Sequence, residues 1–171
     1  MKKIFLLIGM VSLFGLQSCS GPEGPEGPPG SDGTNVEAEV YEITDVDFLS
    51  NGNFSIVADL PHTILSSDMV LVYRLSDVFN GADVWRLEPE TFYFADGTLD
   101  FRYNFDFTRT DVSIYLEGND LGTVPEEFRL NQVFRIVIIP GYFSNKKAVD
   151  LKDYNAVIKA YNLNDSNPIK L

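Results

Sequence analysis

The chain has 171 residues, 44% of them hydrophobic, with one cysteine, one histidine and 25 acidic against 13 basic side chains, a formal net charge of −12. That length suffices for one domain with its own hydrophobic interior, and a single cysteine leaves no partner for an intramolecular disulfide. Nucleic-acid binding needs a basic stripe that releases phosphate counterions, and the sign of the charge is wrong for it, so nucleic acid is excluded as a partner.

Met1-Lys2-Lys3 is a basic start, and residues 4–16 form an apolar run too short to cross a bilayer but of the length of a secretory signal. Leu16-Gln17-Ser18-Cys19 resembles the bacterial lipobox, in which small residues precede a cysteine that is acylated and becomes the new N-terminus. The resemblance implies that residues 1–18 are a cleaved signal peptide and that Cys19 is lipidated; ordinary cleavage nearby would instead leave a free thiol. Several tens of buried methylenes at ~0.8 kcal/mol each make such an anchor effectively permanent. No other segment approaches the ~18 apolar residues of a span. Ser20, where an aspartate would resemble the inner-membrane retention signal, implies the outer membrane, with the domain on either its periplasmic or its external side.

Beyond the signal the first basic residue is Arg74, while ten acidic residues lie between Cys19 and Tyr73. An acidic membrane-proximal half is repelled by an anionic bilayer within a Debye length of ~8 Å; the plainer reading is charge for solubility.

Gly21, Gly24, Gly27, Gly30 and Gly33 mark five Gly-X-Y triplets, with Pro22, Pro25 and Pro28 at X and Pro29 at Y. This is the composition of collagen, and a trimeric stalked surface protein is one reading. Three aligned chains would stack Glu23, Glu26 and Asp32 with no Lys or Arg in the segment to pair with them. A single chain in polyproline II form reaches roughly 45 Å, so residues 19–35 read as a stiff acidic tether of a monomer.

From residue 36 to 171 short apolar–polar alternations separated by turn signals predict an all-β domain. Val36, Ala38 and Val40 begin it, Ser50-Asn51-Gly52-Asn53 is a turn, and residues 54–60 form a further strand. Met69, Leu71, Tyr73 and Leu75 alternate with Val70, Val72 and Arg74, as in a strand covered on both faces. In the hairpin TFYFADGTLDFRYNFDFT, Asp96-Gly97 is expected to form a type I′ turn, and Leu99, Phe101, Tyr103, Phe105 and Phe107 make one apolar face. Val112, Ile114 and Leu116 form another strand, and Val133 to Ile139 reads as a central one. Leu151, Tyr154, Ile158 and Tyr161 follow helical spacing, which predicts an amphipathic helix over 151–161 with Asp150 as N-cap. Seven to nine mainly antiparallel strands with one C-terminal helix suggest a single β-sandwich, with a partly open barrel as the alternative.

Chemistry is sparse. His62 is the lone histidine, no G-x-S-x-G elbow accompanies it, and a His- or Cys-based zinc site lacks ligands, so no catalytic or zinc-binding residue is assigned. Asp45-Val46-Asp47 opens like an EF-hand loop, but Leu49, Ser50 and Ile56 stand where that loop needs a ligand, a glycine and a bidentate glutamate, leaving only an irregular Ca2+ site in prospect. Trp85, Phe92, Tyr93, Phe94, Phe101, Tyr103, Phe105 and Phe107 either fill the sandwich core or offer a platform to sugar rings, and Trp85, between Asp83 and Arg86 near a turn, is the candidate ligand contact.

Leu16 to Cys19, the triplets Gly21 to Asn35 and the segments MVLVYRL, FRIVIIPG and DLKDYNAVIKA together resemble small lipoproteins of Gram-negative bacteria that carry a few collagen-like triplets before a compact domain. The resemblance implies address and architecture. The expected function is a lipid-anchored, non-catalytic binding or structural module presented to glycan, peptide or envelope protein; the enzyme alternative is a carbohydrate-active hydrolase using paired carboxylates.

Overall fold

In a computed structural model of the chain, residues 37–145 and 148–171 are described. The signal run, Cys19 and the Gly-X-Y triplets lie outside them.

Alternation every second residue produces nine strands among the described residues: β1 (Glu39–Val46), β2 (Ser55–Asp59), β3 (Met69–Phe79), β4 (Ala82–Leu87), β5 (Thr91–Tyr93), β6 (Leu99–Phe107), β7 (Asp111–Gly118), β8 (Gln132–Ile139) and β9 (Ile169–Lys170). A one-turn helix α1 (Glu126–Arg129) precedes β8, and α2 (Tyr154–Tyr161) precedes β9. The strands form a five-stranded sheet in the order β4-β3-β8-β1-β9 and a four-stranded sheet in the order β2-β7-β6-β5. All pairings are antiparallel except β1 with β9. The all-β sandwich with a short C-terminal helix is the fold observed.

The pleat divides the core. Val70 and Val72 of β3, Phe134, Ile136 and Ile138 of β8, and Phe101, Tyr103, Val112, Ile114 and Leu116 of the second sheet pack between the sheets. Leu71 and Tyr73 of β3 and Val137 and Ile139 of β8 point the other way, where Tyr154 and Val157 of α2 cover them. Each such side chain contributes about 1.5–3 kcal/mol when withdrawn from water. β3 is thus covered on both faces over residues 70–74, and β8, buried except at Val133, runs through the middle of the sheet. This is why both read as unbroken apolar runs.

Two local expectations are corrected. The type I′ turn lies at Asn80-Gly81, both with positive φ (52° and 80°), joining β3 to β4 with Phe79 paired to Ala82. At Asp96-Gly97 only Gly97 has positive φ, its N–H donates to Phe94 O, and Phe94 N donates to Thr98 O: a three-residue loop with Gly97 in the left-handed position. Asp96 instead accepts from the Thr98 amide and hydroxyl, an Asx turn that closes the loop two residues on. The second correction concerns the helix, which begins at Tyr154. Its N-cap is Asp153, whose carboxylate accepts from Ala156 N at 3.0 Å, while Asp150 closes the preceding turn by accepting from Lys152 N.

Candidate functional site

Register places one residue from each strand of the larger sheet in a single rung: Leu87, Tyr73, Arg135, Glu42 and Lys170. Arg135 lies at its centre under α2. Its Nε donates to Glu42 Oε2 at 3.0 Å, and its Nη1 donates to the Tyr154 hydroxyl at 2.6 Å and to Asp165 Oδ2 at 3.3 Å. The guanidinium stands 4.3 Å from the centre of the Trp85 ring and 5.4 Å from that of Tyr154. Lys170 donates to the other Glu42 oxygen. Burial alone would raise the Glu42 carboxyl, but hydrogen bonds from Lys170 and Arg135 outweigh it and hold the group below its ordinary value. The cluster is a clamp that ties α2 and the C-terminal segment to the sheet.

One residue away, Arg74 points between the sheets. Its Nε and Nη2 donate to Glu90 Oε2 at 3.1 and 2.6 Å, its Nη1 donates to Gln132 Oε1 at 3.3 Å, and its guanidinium lies 4.7 Å from the Tyr103 ring centre. Gln132 Nε2 in turn donates to the carbonyls of Glu127 and Leu130, and Tyr103 donates to Phe128 O, which fastens α1 over the end of the sandwich. Glu88 is the anomaly. Its Oε2 accepts from Glu90 N at 2.6 Å, yet its buried Oε1 has no hydrogen-bond partner and lies 3.9 Å from Arg74 Nε. Burial pushes the Glu88 carboxyl up to about 8 against the opposing effects of the Glu90 amide and Arg74.

Among the described residues, Glu88 and Glu90 are therefore the neighbouring carboxyls, one of them raised, that most resemble the pair a glycoside hydrolase would use. Access decides against that use. The Glu88 side chain is 0% exposed and both Glu90 oxygens are engaged, Oε2 by Arg74 and Oε1 by Arg86 at 3.2 Å. A general acid must touch the leaving group, and this one touches only protein.

The residues singled out in the sequence are dispersed. Trp85 is half-buried, with Arg135 against its ring and Tyr154 at 5.6 Å, and its remaining surface lines a shallow depression with Arg86, Pro89, Glu90 and Lys152. His62 sits in an exposed bend, its Nε2 3.5 Å from Glu39. Asp47 accepts from Asn131 N, and Asp45 lies on β1 with a φ of 56°. Among the described residues no group of three or more His, Cys, Asp or Glu converges to hold a metal ion. The aromatic set is split between two fates: Phe92 stacks on Phe101 at 4.5 Å and both pack against Tyr103 and Phe128 inside, whereas Tyr93 and Phe94 are 64% and 53% exposed.

Concave surface occurs elsewhere. A groove of about 520 Å³ beside the end of α2 is lined by Glu37, Glu39, Tyr161, Phe143, Asn162, Asn164 and Asn167. Phe143 meets Tyr161 edge to face at 6.1 Å and so orients its ring. Two of these asparagines have local roles that a sequence reading takes for turn chemistry. Asn162 is the left-handed C-cap of α2 and Asn164 accepts from Ser166 in a tight turn. Sequence reading passed over Arg74 and Arg135, whose signal was a lone charge inside an apolar strand. Comparison of the chain with protein-family models, curated protein sequences and solved structures returns no match.

Proposed function

We propose that the protein is a lipid-anchored, non-catalytic binding module of the bacterial cell envelope, acylated at Cys19, held away from the outer membrane by its Gly-X-Y tether, and taking a glycan in the groove beside Tyr161. The observation that carries this reading is the composition of that groove: three side-chain amides, two carboxylates and two aromatic rings around about 520 Å³ of open space. Amides donate and accept at once, which matches sugar hydroxyls, and an aromatic face accepts the apolar side of a pyranose. The acidic envelope domain carries the corresponding penalty against polyanionic glycans, so neutral or basic saccharides are the expected class. Among the described residues no helix is long and apolar enough to cross a membrane, which fits attachment through a lipid.

The test is a glycan array probed with the protein beginning at Ser20, followed by titration of any hit against Asn164→Ala and Tyr161→Ala. Binding that falls at least about tenfold in both variants supports the groove as the site. Absence of any hit, or a hit untouched by either change, removes the glycan reading. Labelled fatty acid incorporated into the full chain and lost in Cys19→Ser tests the anchor separately.

A further inference from the structure

We propose that the seam between β1 and β2 accepts an extended basic peptide as an added strand on the free edge of β2. β2 closes the smaller sheet and, among the described residues, pairs only with β7. Phe54 O and Leu60 N both bond toward β7, so in the strand alternation Ser55, Val57 and Asp59 direct their backbone N–H and C=O to the open side. Edges of this kind are commonly blunted by proline, lysine or a bulge. β1, across the seam, has such a device: Asp45 takes a φ of 56°, and the register with β8 shifts between Ile43 and Val46. The Ser-Ile-Val-Ala-Asp edge of β2 has none, and Val57 on it is 63% exposed.

Room for the added strand is present. β9 pairs with β1 only at Tyr41 and Glu42, and beyond it opens a groove of about 440 Å³ lined by apolar Ile43, Ile56, Val57 and Leu171. Charge selects the occupant. Asp45, Asp47 and Asp59 line the groove with no Lys or Arg among them, so an alternating Lys–apolar segment complements it and an acidic one is repelled. Five residues of β2 offer about 17 Å of edge, the length of a pentapeptide strand. This surface has a different lining from the groove beside Tyr161 and does not depend on a glycan being bound there.

The experiment uses the full chain in detergent and fluorescent Lys-Val-Lys-Val-Lys-Val, read by anisotropy. Expected are saturable binding, at least about tenfold weakening by N-methylation of alternate peptide amides in one of the two registers, and similar weakening in Asp59→Lys. Val57→Pro, which removes one outward N–H while leaving the β7 pairing intact, should abolish binding with the far-ultraviolet spectrum unchanged. Should that variant unfold, the N-methylated peptides carry the same test. No binding of the lysine peptide, equal binding of its N-methylated forms, or equal binding of Glu-Val-Glu-Val-Glu-Val each overturns the proposal. A concentration-dependent dimer lost on the Asp59→Lys change would overturn it in favour of self-association.

Discussion

Arg74 and Arg135 stand on neighbouring strands one register step apart, Arg74 opposite Phe134 and Arg135 opposite Tyr73, and the pleat sends their guanidinium groups to opposite faces of the same sheet. Each face thereby acquires one buried cation with its own carboxylates, Glu88 and Glu90 between the sheets and Glu42 and Asp165 under α2. Breaking such a pair leaves an uncompensated buried charge, which costs more than the pair itself contributes.

Arg135→Met should lower stability at pH 7 by about 3 kcal/mol, because Glu42 and Asp165 lose their shared partner. Glu42 is held below its ordinary value of 4.5, so its contribution is present above that pH and is lost as pH falls through the lowered value. Urea denaturation of the wild-type protein at a series of pH values below 5 should therefore show a loss of stability that is smaller in the variant. An unchanged acid limb would mean that Lys170 alone holds Glu42.

Glu88 behaves with the opposite sign. Its folded value near 8 exceeds the ordinary 4.5, so the folded state binds the proton more tightly and stability falls as pH rises between those two values. Glu88→Gln should flatten this slope and make the protein more stable than wild type at pH 8 by on the order of a few kcal/mol. Thermal melts of both proteins at pH 5, 7 and 8 test this; parallel curves would contradict it.

Asp153→Ala removes the acceptor for Ala156 N at the start of α2 and should cost about 1 kcal/mol. Asp150→Ala, which disturbs only the preceding turn, should cost less. Hydrogen exchange at Ala156 and Val157 distinguishes them, since only the first change should speed exchange in the opening turn.

Gly141→Ala places a Cβ 2.5 Å from the backbone oxygen of Ser67, a contact relieved only by moving one main chain against the other. A loss of about 2–3 kcal/mol is expected. Gly52→Ala serves as its control: no atom lies within 4 Å of that Cβ, and the change should stay within about 0.5 kcal/mol. Denaturant midpoints with equal m-values would establish both.

Local period and composition carry much of the fold along the chain. Alternation along β6, two-sided apolarity of β3, the unbroken run of β8 and the 3.6-residue spacing of α2 each depend on neighbours a few positions away, so each was readable along the chain. The Asn80-Gly81 turn was equally local and was passed over, whereas the choice of Asp153 over Asp150 as cap turned on where the chain enters the helix after leaving the sheet. Tertiary structure alone decided the fate of the charges. Arg135 meets Glu42 across 93 positions of sequence and Arg74 meets Gln132 across 58, and no local pattern marks a partner so far off. It likewise decided that Glu88, in a polar stretch, is withdrawn from solvent while the aromatic Tyr93 and Phe94 are not. Burial is a property of what the second sheet and α2 cover, and that is known only when the strands have found their register.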